Sequence, residues 1–169
     1  MAALVQIPVG ITIERIKAQS PWIDFVWQPQ SVLVGLPDAL PWTRLSGDDE
    51  RASFYAGSAA IELHRGDAGS YRENLLGDGR LWVVLEPTES DPPYALLRVT
   101  ADPSEGEAYA AAGVYLVDSV PMPEIVHDAV VQFVEEHYVT QTFFKRKRDR
   151  ADPNALARRV PRGPEHRDE

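Results

Sequence analysis

The chain has 169 residues, no cysteine and a formal net charge of −9. Such a length suits one domain that buries about two-thirds of the surface its unfolded form exposes, and the lack of cysteine excludes disulfides, thiolate metal sites and thiol nucleophiles. The charge is unevenly placed: residues 1–144 carry 8 Lys+Arg against 21 Asp+Glu, and residues 145–169 carry 9 against 5. An acidic body disfavours adhesion to nucleic acid or an anionic membrane, which leaves attraction to polyanions to the C-terminal segment. The opening MAALVQIPVGITIERIK has neither a basic n-region nor a continuous apolar h-region, and no apolar run approaches about eighteen residues, so a soluble cytoplasmic protein is expected.

Val5, Ile7, Val9, Ile11 and Ile13 repeat with the period of two of a half-buried strand. Pro8 and Gly10 suit an edge strand, whose free side would leave homodimerisation by sheet extension open. Ile23, Phe25 and Trp27 alternate in a second strand, with a bend or bulge expected at Pro29 before SVLVG. The stretch GLPDALPWTRLSGDDE, rich in Pro, Gly and Asp, is predicted as a surface loop. SFYAG and AAIELHR flank a Gly57-Ser58 turn signal and are expected as two strands. GSYRENLLGDG is predicted as a helical turn. RLWVVLEP has the continuous apolar run of a strand covered on both faces, and YALLRVTA follows a Pro92-Pro93 break.

Asp102 is placed to cap a helix, with Pro103 at its first position, Glu105 at capping-box spacing and Gly113 as the left-handed stop. Gly106 within it costs about 1 kcal/mol relative to alanine. VYLVDSV reads as the last strand. From Pro123 to about Tyr138, Ile125, Ala129 and Phe133 form one stripe and Val126, Val130 and Val134 the next, as in an amphipathic helix docked on a sheet. The strands follow one another too closely for helical crossovers. The predicted fold is therefore a single α+β domain over residues 1–144, with a mostly antiparallel sheet, strongly twisted or partly closed, and about two helices, the longer near the C-terminus. Residues 145–169 are expected to form a basic, largely disordered tail, since they bury too little to offset about 1–2 kcal/mol of backbone entropy per residue.

The candidate functional residues begin with that tail. Phe143, Phe144, Lys145, Arg146, Lys147, Arg148 and Arg150 would let an acidic body dock on an acidic protein surface; a solubilising extension, a clamp on the chain's own body and nucleic-acid binding are the competing uses. Trp22 and Trp42 each follow a proline in a predicted loop and are candidate interface anchors. His64 and Arg72 are a candidate contact for a small anionic substrate, although His64 and Glu62 fall where a strand's outward polar residues belong without any function. His127, Asp128, Glu135, Glu136 and His137 lack a histidine pair at ligand spacing, and neither a metal nor any other cofactor is expected.

The segments IPVGITIERIKAQSPWIDFVWQPQSVLVG, AAIELHRGDAGSYRENLLGDGRLWVVLEP, SVPMPEIVHDAVVQFVEEHYV and FFKRKR, taken in that order, resemble a bacterial family of small uncharacterised proteins. Genes of that family often lie near those for molybdenum-dependent formate dehydrogenase and its maturation chaperones. The resemblance covers roughly residues 5–148 and supplies no catalytic residues. It implies a non-enzymatic accessory or maturation factor whose partner is an oxidoreductase subunit or a maturation chaperone.

Overall fold

In the computed structural model, which describes residues 3–139, β1 (Val5–Lys17) pairs antiparallel with two neighbours, β2 (Phe25–Val34) and β4 (Arg51–Leu63). β3 (Thr43–Gly47) completes this sheet in the order β2-β1-β4-β3. A second antiparallel sheet has the order β6-β5-β7, from β5 (Arg80–Pro87), β6 (Tyr94–Thr100) and β7 (Leu116–Pro121). Helix α1 (Ala68–Leu76) joins the two sheets, α2 (Pro103–Ala111) links β6 to β7, and α3 (Glu124–His137) follows β7. The fold is α+β, with its longest helix last.

β4 lies against β6 and β2 against β7, so the sheets enclose one core. Val9, Ile11, Ile13, Ile61 and Leu63 of the first sheet meet Leu81, Val83, Leu85 and Val99 of the second. α1 adds Ala68 and Tyr71, and α3 adds Val126, Val130, Phe133 and Val134. The second stripe predicted for α3 is thus the buried one. The first stripe is buried only towards its C-terminal end, running from exposed Ile125 through half-buried Ala129 to buried Phe133, which packs on Tyr71 of α1.

Several expectations are corrected. β1 is an internal strand along Val9–Lys17, and Pro8 falls in the short stretch Val5–Pro8 that pairs with β4 and has no β2 partner. Pairing between copies through a free β1 edge is therefore closed over most of its length. The two strands predicted around Gly57 are one, because Gly57, at φ 125°, takes up a bulge instead of reversing the chain. The predicted loop 35–50 contains β3, whose five residues are all exposed and which is held to β4 by backbone pairing. Asp48 closes that hairpin by accepting from the N–H groups of Glu50 (2.9 Å) and Arg51 (3.0 Å), and these donors hold its carboxyl below the usual range. The segment predicted as a helical turn is the nine-residue helix α1, one of three α-helices among the described residues.

The cap of α2 differs from the predicted box in its wiring. Asp102 accepts from the N–H of Ser104 as expected, but Thr100 Oγ1, not Glu105, accepts from the N–H of Asp102. Glu105 turns instead to Thr100 Oγ1 (2.7 Å) and Arg98. The apparent misfit of Gly106 also has a cause. A Cβ there would lie 2.3 Å from Cγ and 2.8 Å from Cβ of Trp82, so the helix backbone rests directly on the outer face of β5. This contact and the buried Leu81, Val83, Val84 and Leu85 explain the continuous apolar run of β5.

Gly106→Ala should therefore destabilise the fold by about 1–3 kcal/mol despite the better helix propensity of alanine. The measurement is the urea midpoint at unchanged slope. A midpoint equal to or above that of the parent would mean that α2 does not rest on Trp82.

Candidate functional site

Thr12 marks the place where both neighbours of β1 slip. In β4, Gly57 faces Ile11 and Tyr55 faces Thr12, leaving Ala56 as an extra residue; in β2, Ser31 faces Thr12 and Pro29 faces Ile13, leaving Gln30 extra. Directly opposed residues of an antiparallel pair point to the same face, and one inserted residue exchanges the faces beyond it. Below Thr12 the inner face consequently receives Phe25, Trp27 and Phe54 in place of Gln28 and Ser53. Gln28 falls on the outer face, where it donates to Glu14 (3.2 Å), which also pairs with Arg51 (3.0 Å).

Arg15 continues the inward stripe of Val9, Ile11 and Ile13 and opposes Trp27 and Ala52. Its guanidinium carbon lies 4.2 Å from the Phe25 ring centroid, 5.1 Å from that of Phe54 and 5.8 Å from that of Trp27. Such contacts stabilise the cation by about 0.5–2 kcal/mol each, but an aromatic face accepts no conventional hydrogen bond from the donor fork. Arg15 Nε is buried without a hydrogen-bond partner, although the residue as a whole is only partly buried. Trp42 packs edge-on against Trp27 at 6.0 Å and lies 6.5 Å from Phe54, while Tyr94 of β6 reaches Trp27 at 6.3 Å. Trp42 has φ 68°, a left-handed conformation costly for a bulky residue, and its N–H donates to the carbonyl of Tyr55.

The residues singled out in the sequence have different surroundings. Trp22 is 89% exposed at a turn, whereas Trp42 belongs to the aromatic cluster. His64 follows β4 and lies 3.7 Å from Glu62, while the guanidinium of Arg72, on α1, is 5.0 Å from the ring centroid of Tyr138. A shallow pocket of about 440 Å³ is lined by Ile16, Lys17, Ala18, Gln19, Glu50 and Arg51, away from both. Phe143, Phe144, Lys145, Arg146, Lys147, Arg148 and Arg150 lie outside the described residues. Sequence reasoning missed Arg15, Phe25, Trp27 and Phe54 as members of a site. The signal was a cation at the next inward position of an otherwise apolar stripe.

A second polar group joins the sheets. Arg98 of β6 binds Glu105 of α2 and reaches Glu62 of β4 at 3.3 Å. Burial works against its charge, but the bonds to Glu105 and Glu62 outweigh that and hold its pKa above the ordinary value. Nearby, the Tyr71 hydroxyl accepts from the His64 N–H (3.0 Å) and faces the Glu62 carbonyl (3.4 Å). Two carboxylates on Arg98 and two backbone groups on the Tyr71 hydroxyl make this group a structural clamp. Among the described residues no three His, Asp or Glu side chains are grouped to hold a metal, and no helix is long and apolar enough to cross a membrane.

The profile of DUF3305, a protein family of unknown function, matches residues 8–148. The chain belongs to that family. No curated protein and no solved structure matches it. The matched span includes the whole aromatic cluster and continues through Lys145–Arg148.

Burial raises the Tyr71 hydroxyl from 10.0 to about 12. The folded chain then holds this proton more tightly than the unfolded chain, so stability should fall as pH rises from about 10 to about 12, by up to about 1.4 kcal/mol per pH unit. Urea midpoints of parent and Tyr71→Phe across that range check this; the fall should be shallower in the variant. Parallel curves would show that Tyr71 does not carry the alkaline loss.

Proposed function

We propose that the protein is a non-enzymatic, cytoplasmic accessory module of a molybdenum-dependent formate dehydrogenase system, docking through its basic segment on an acidic surface of an oxidoreductase subunit or maturation chaperone. The observation that carries the docking mode is the extent of the family match. It reaches residue 148, past the end of the acidic body at residue 144, which supports reading Lys145–Arg148 together with the domain. The choice of partner system rests on the family resemblance described above.

The body supports this reading through its charge. With 8 Lys+Arg against 21 Asp+Glu in residues 1–144, it repels an acidic partner, so long-range attraction falls to the nine cations that follow. Trp22, 89% exposed, and Leu40, 79% exposed, are apolar side chains available for short-range contact once the partner has been captured.

Affinity capture from a native host should recover a subunit or chaperone of the molybdenum enzyme. Replacing Lys145, Arg146, Lys147, Arg148 and Arg150 together by glutamine should weaken binding to the purified partner by at least about tenfold, mostly through a slower association rate that loses its salt dependence. Recovery of no such protein, or undiminished binding by the neutralised variant, would overturn the proposal. A steep, sequence-independent affinity for duplex DNA that declines with salt would instead identify nucleic acid as the target.

A further inference from the structure

The geometry points to a binding site for a carboxylate at Arg15, framed by Phe25, Trp27, Phe54 and Trp42. This inference does not depend on the basic C-terminal segment or on the identity of any docking partner. Three observations converge on it.

The first is an unmet donor. Buried polar groups in folded proteins nearly always have partners, and each exception calls for an explanation in terms of strain, a catalytic role, or a bound water or ion. Arg15 Nε is buried and has no acceptor, and no hydrogen bond or ion pair joins the Arg15 side chain to any other described residue. The carboxylate adjacent in sequence is already engaged: Glu14 lies on the opposite face of the strand, bound by Arg51 and Gln28. The charge of Arg15 is sheltered by three rings while its buried Nε–H has no acceptor.

The second is the amount of structure that assembles the surroundings. Two bulges at the same level of β1, one in each neighbouring strand, bring Phe25, Trp27 and Phe54 to the face of Arg15. Trp42 adopts a left-handed backbone to close over Trp27 and Phe54. Conformations of that kind persist where the surroundings over-determine them, and they gather at binding sites.

The third is access. Arg15, Phe25, Trp27, Trp42 and Tyr94 are each only partly buried, so the cluster opens to solvent. A guanidinium fork is shaped for the two oxygens of a carboxylate, and the rings beside it favour one carried on an apolar group. Such a group is either a small organic acid or the acidic side chain of a polypeptide.

The test titrates the full chain with sodium cyclohexanecarboxylate, sodium acetate and an acetyl- and amide-capped oligoglutamate peptide, against sodium chloride at matched ionic strength. The readouts are the Arg15 Nε–H resonance and tryptophan fluorescence. The parent should respond saturably to at least one carboxylate, with a Kd on the order of millimolar, as expected for a small ligand held by one ion pair and a few ring contacts. Arg15→Lys should weaken this by at least about tenfold, because the ammonium lacks the planar fork, and Arg15→Met should abolish it. Saturation by cyclohexanecarboxylate alone or with acetate identifies a free organic acid, and saturation by oligoglutamate identifies an acidic polypeptide. If the parent shows no response beyond that to chloride, or if Arg15→Met responds as the parent does, the site does not exist. The parent titration decides the matter even if a variant fails to fold.

Discussion

The paired bulges opposite Thr12 are the constraint from which the rest of the first sheet follows. Above them, Val9 and Ile11 oppose Val34, Val32 and Ala59, and the inner face is ordinary aliphatic core. Below them, Ile13 and Arg15 oppose Pro29, Phe54 and Trp27, and the same face becomes aromatic and cationic. A regular ladder would have sent Gln28 and Ser53 inward instead, each needing a buried partner that this core does not supply. Thr12 stays buried at the slip and exchanges a 2.5 Å hydrogen bond with the Ser31 hydroxyl, which satisfies a polar pair inside an otherwise apolar layer. One inserted residue in each neighbouring strand thus decides which side chains meet across the sheet.

The two sheets are joined by side chains with little freedom to be replaced. Asn74 of α1 donates to the carbonyls of Arg80 (2.8 Å) and Ala101 (2.9 Å) and accepts from the N–H of Arg80 (2.9 Å), so a single amide fastens the helix to the start of β5 and the end of β6. Arg98 ties β6 to β4 and α2 through two carboxylates. Loss of Asn74 would strand the buried Ala101 carbonyl, which costs more than a typical made hydrogen bond contributes. Specificity of the sheet–sheet arrangement resides in these few polar contacts, whereas the aliphatic layer between them supplies most of the driving force.

Much of the fold was legible in the sequence because burial and periodicity coincide in β1, β5 and α3. Where they part, the reading failed for identifiable reasons. β3 has no buried residue and therefore no apolar pattern; backbone pairing alone makes it a strand. Gly57 carries the same local signal for a turn and for a bulge, and only the partner strand distinguishes them. Pro8 suggested an edge, which is true of the first few residues of β1 and false of the remainder. The aromatic site was hidden because the alternation of Phe25 and Trp27 marks only a strand, and the relation of both, and of Phe54, to Arg15 depends on a register set by two insertions. Arg15 itself breaks the apolar stripe one inward position after Ile13, a local signal the reading did not use.

Charge placement links the architecture to recognition. Inside the acidic body two of the described arginines are paired with carboxylates, Arg51 with Glu14 and Arg98 with Glu62 and Glu105. Such pairing satisfies each cation locally and contributes little to the field farther out, where the excess carboxylates dominate. Fields of that kind act through water over about a Debye length, about 8 Å at physiological salt, so an approaching anionic surface first meets repulsion from the body and attraction from the basic run. Arg15 belongs to neither class. Its charge is sheltered by rings and unpaired, so it contributes to recognition only at contact, when a ligand displaces water from the cluster and the local dielectric falls. Attraction at a distance and selectivity at contact are therefore assigned to different parts of the same chain.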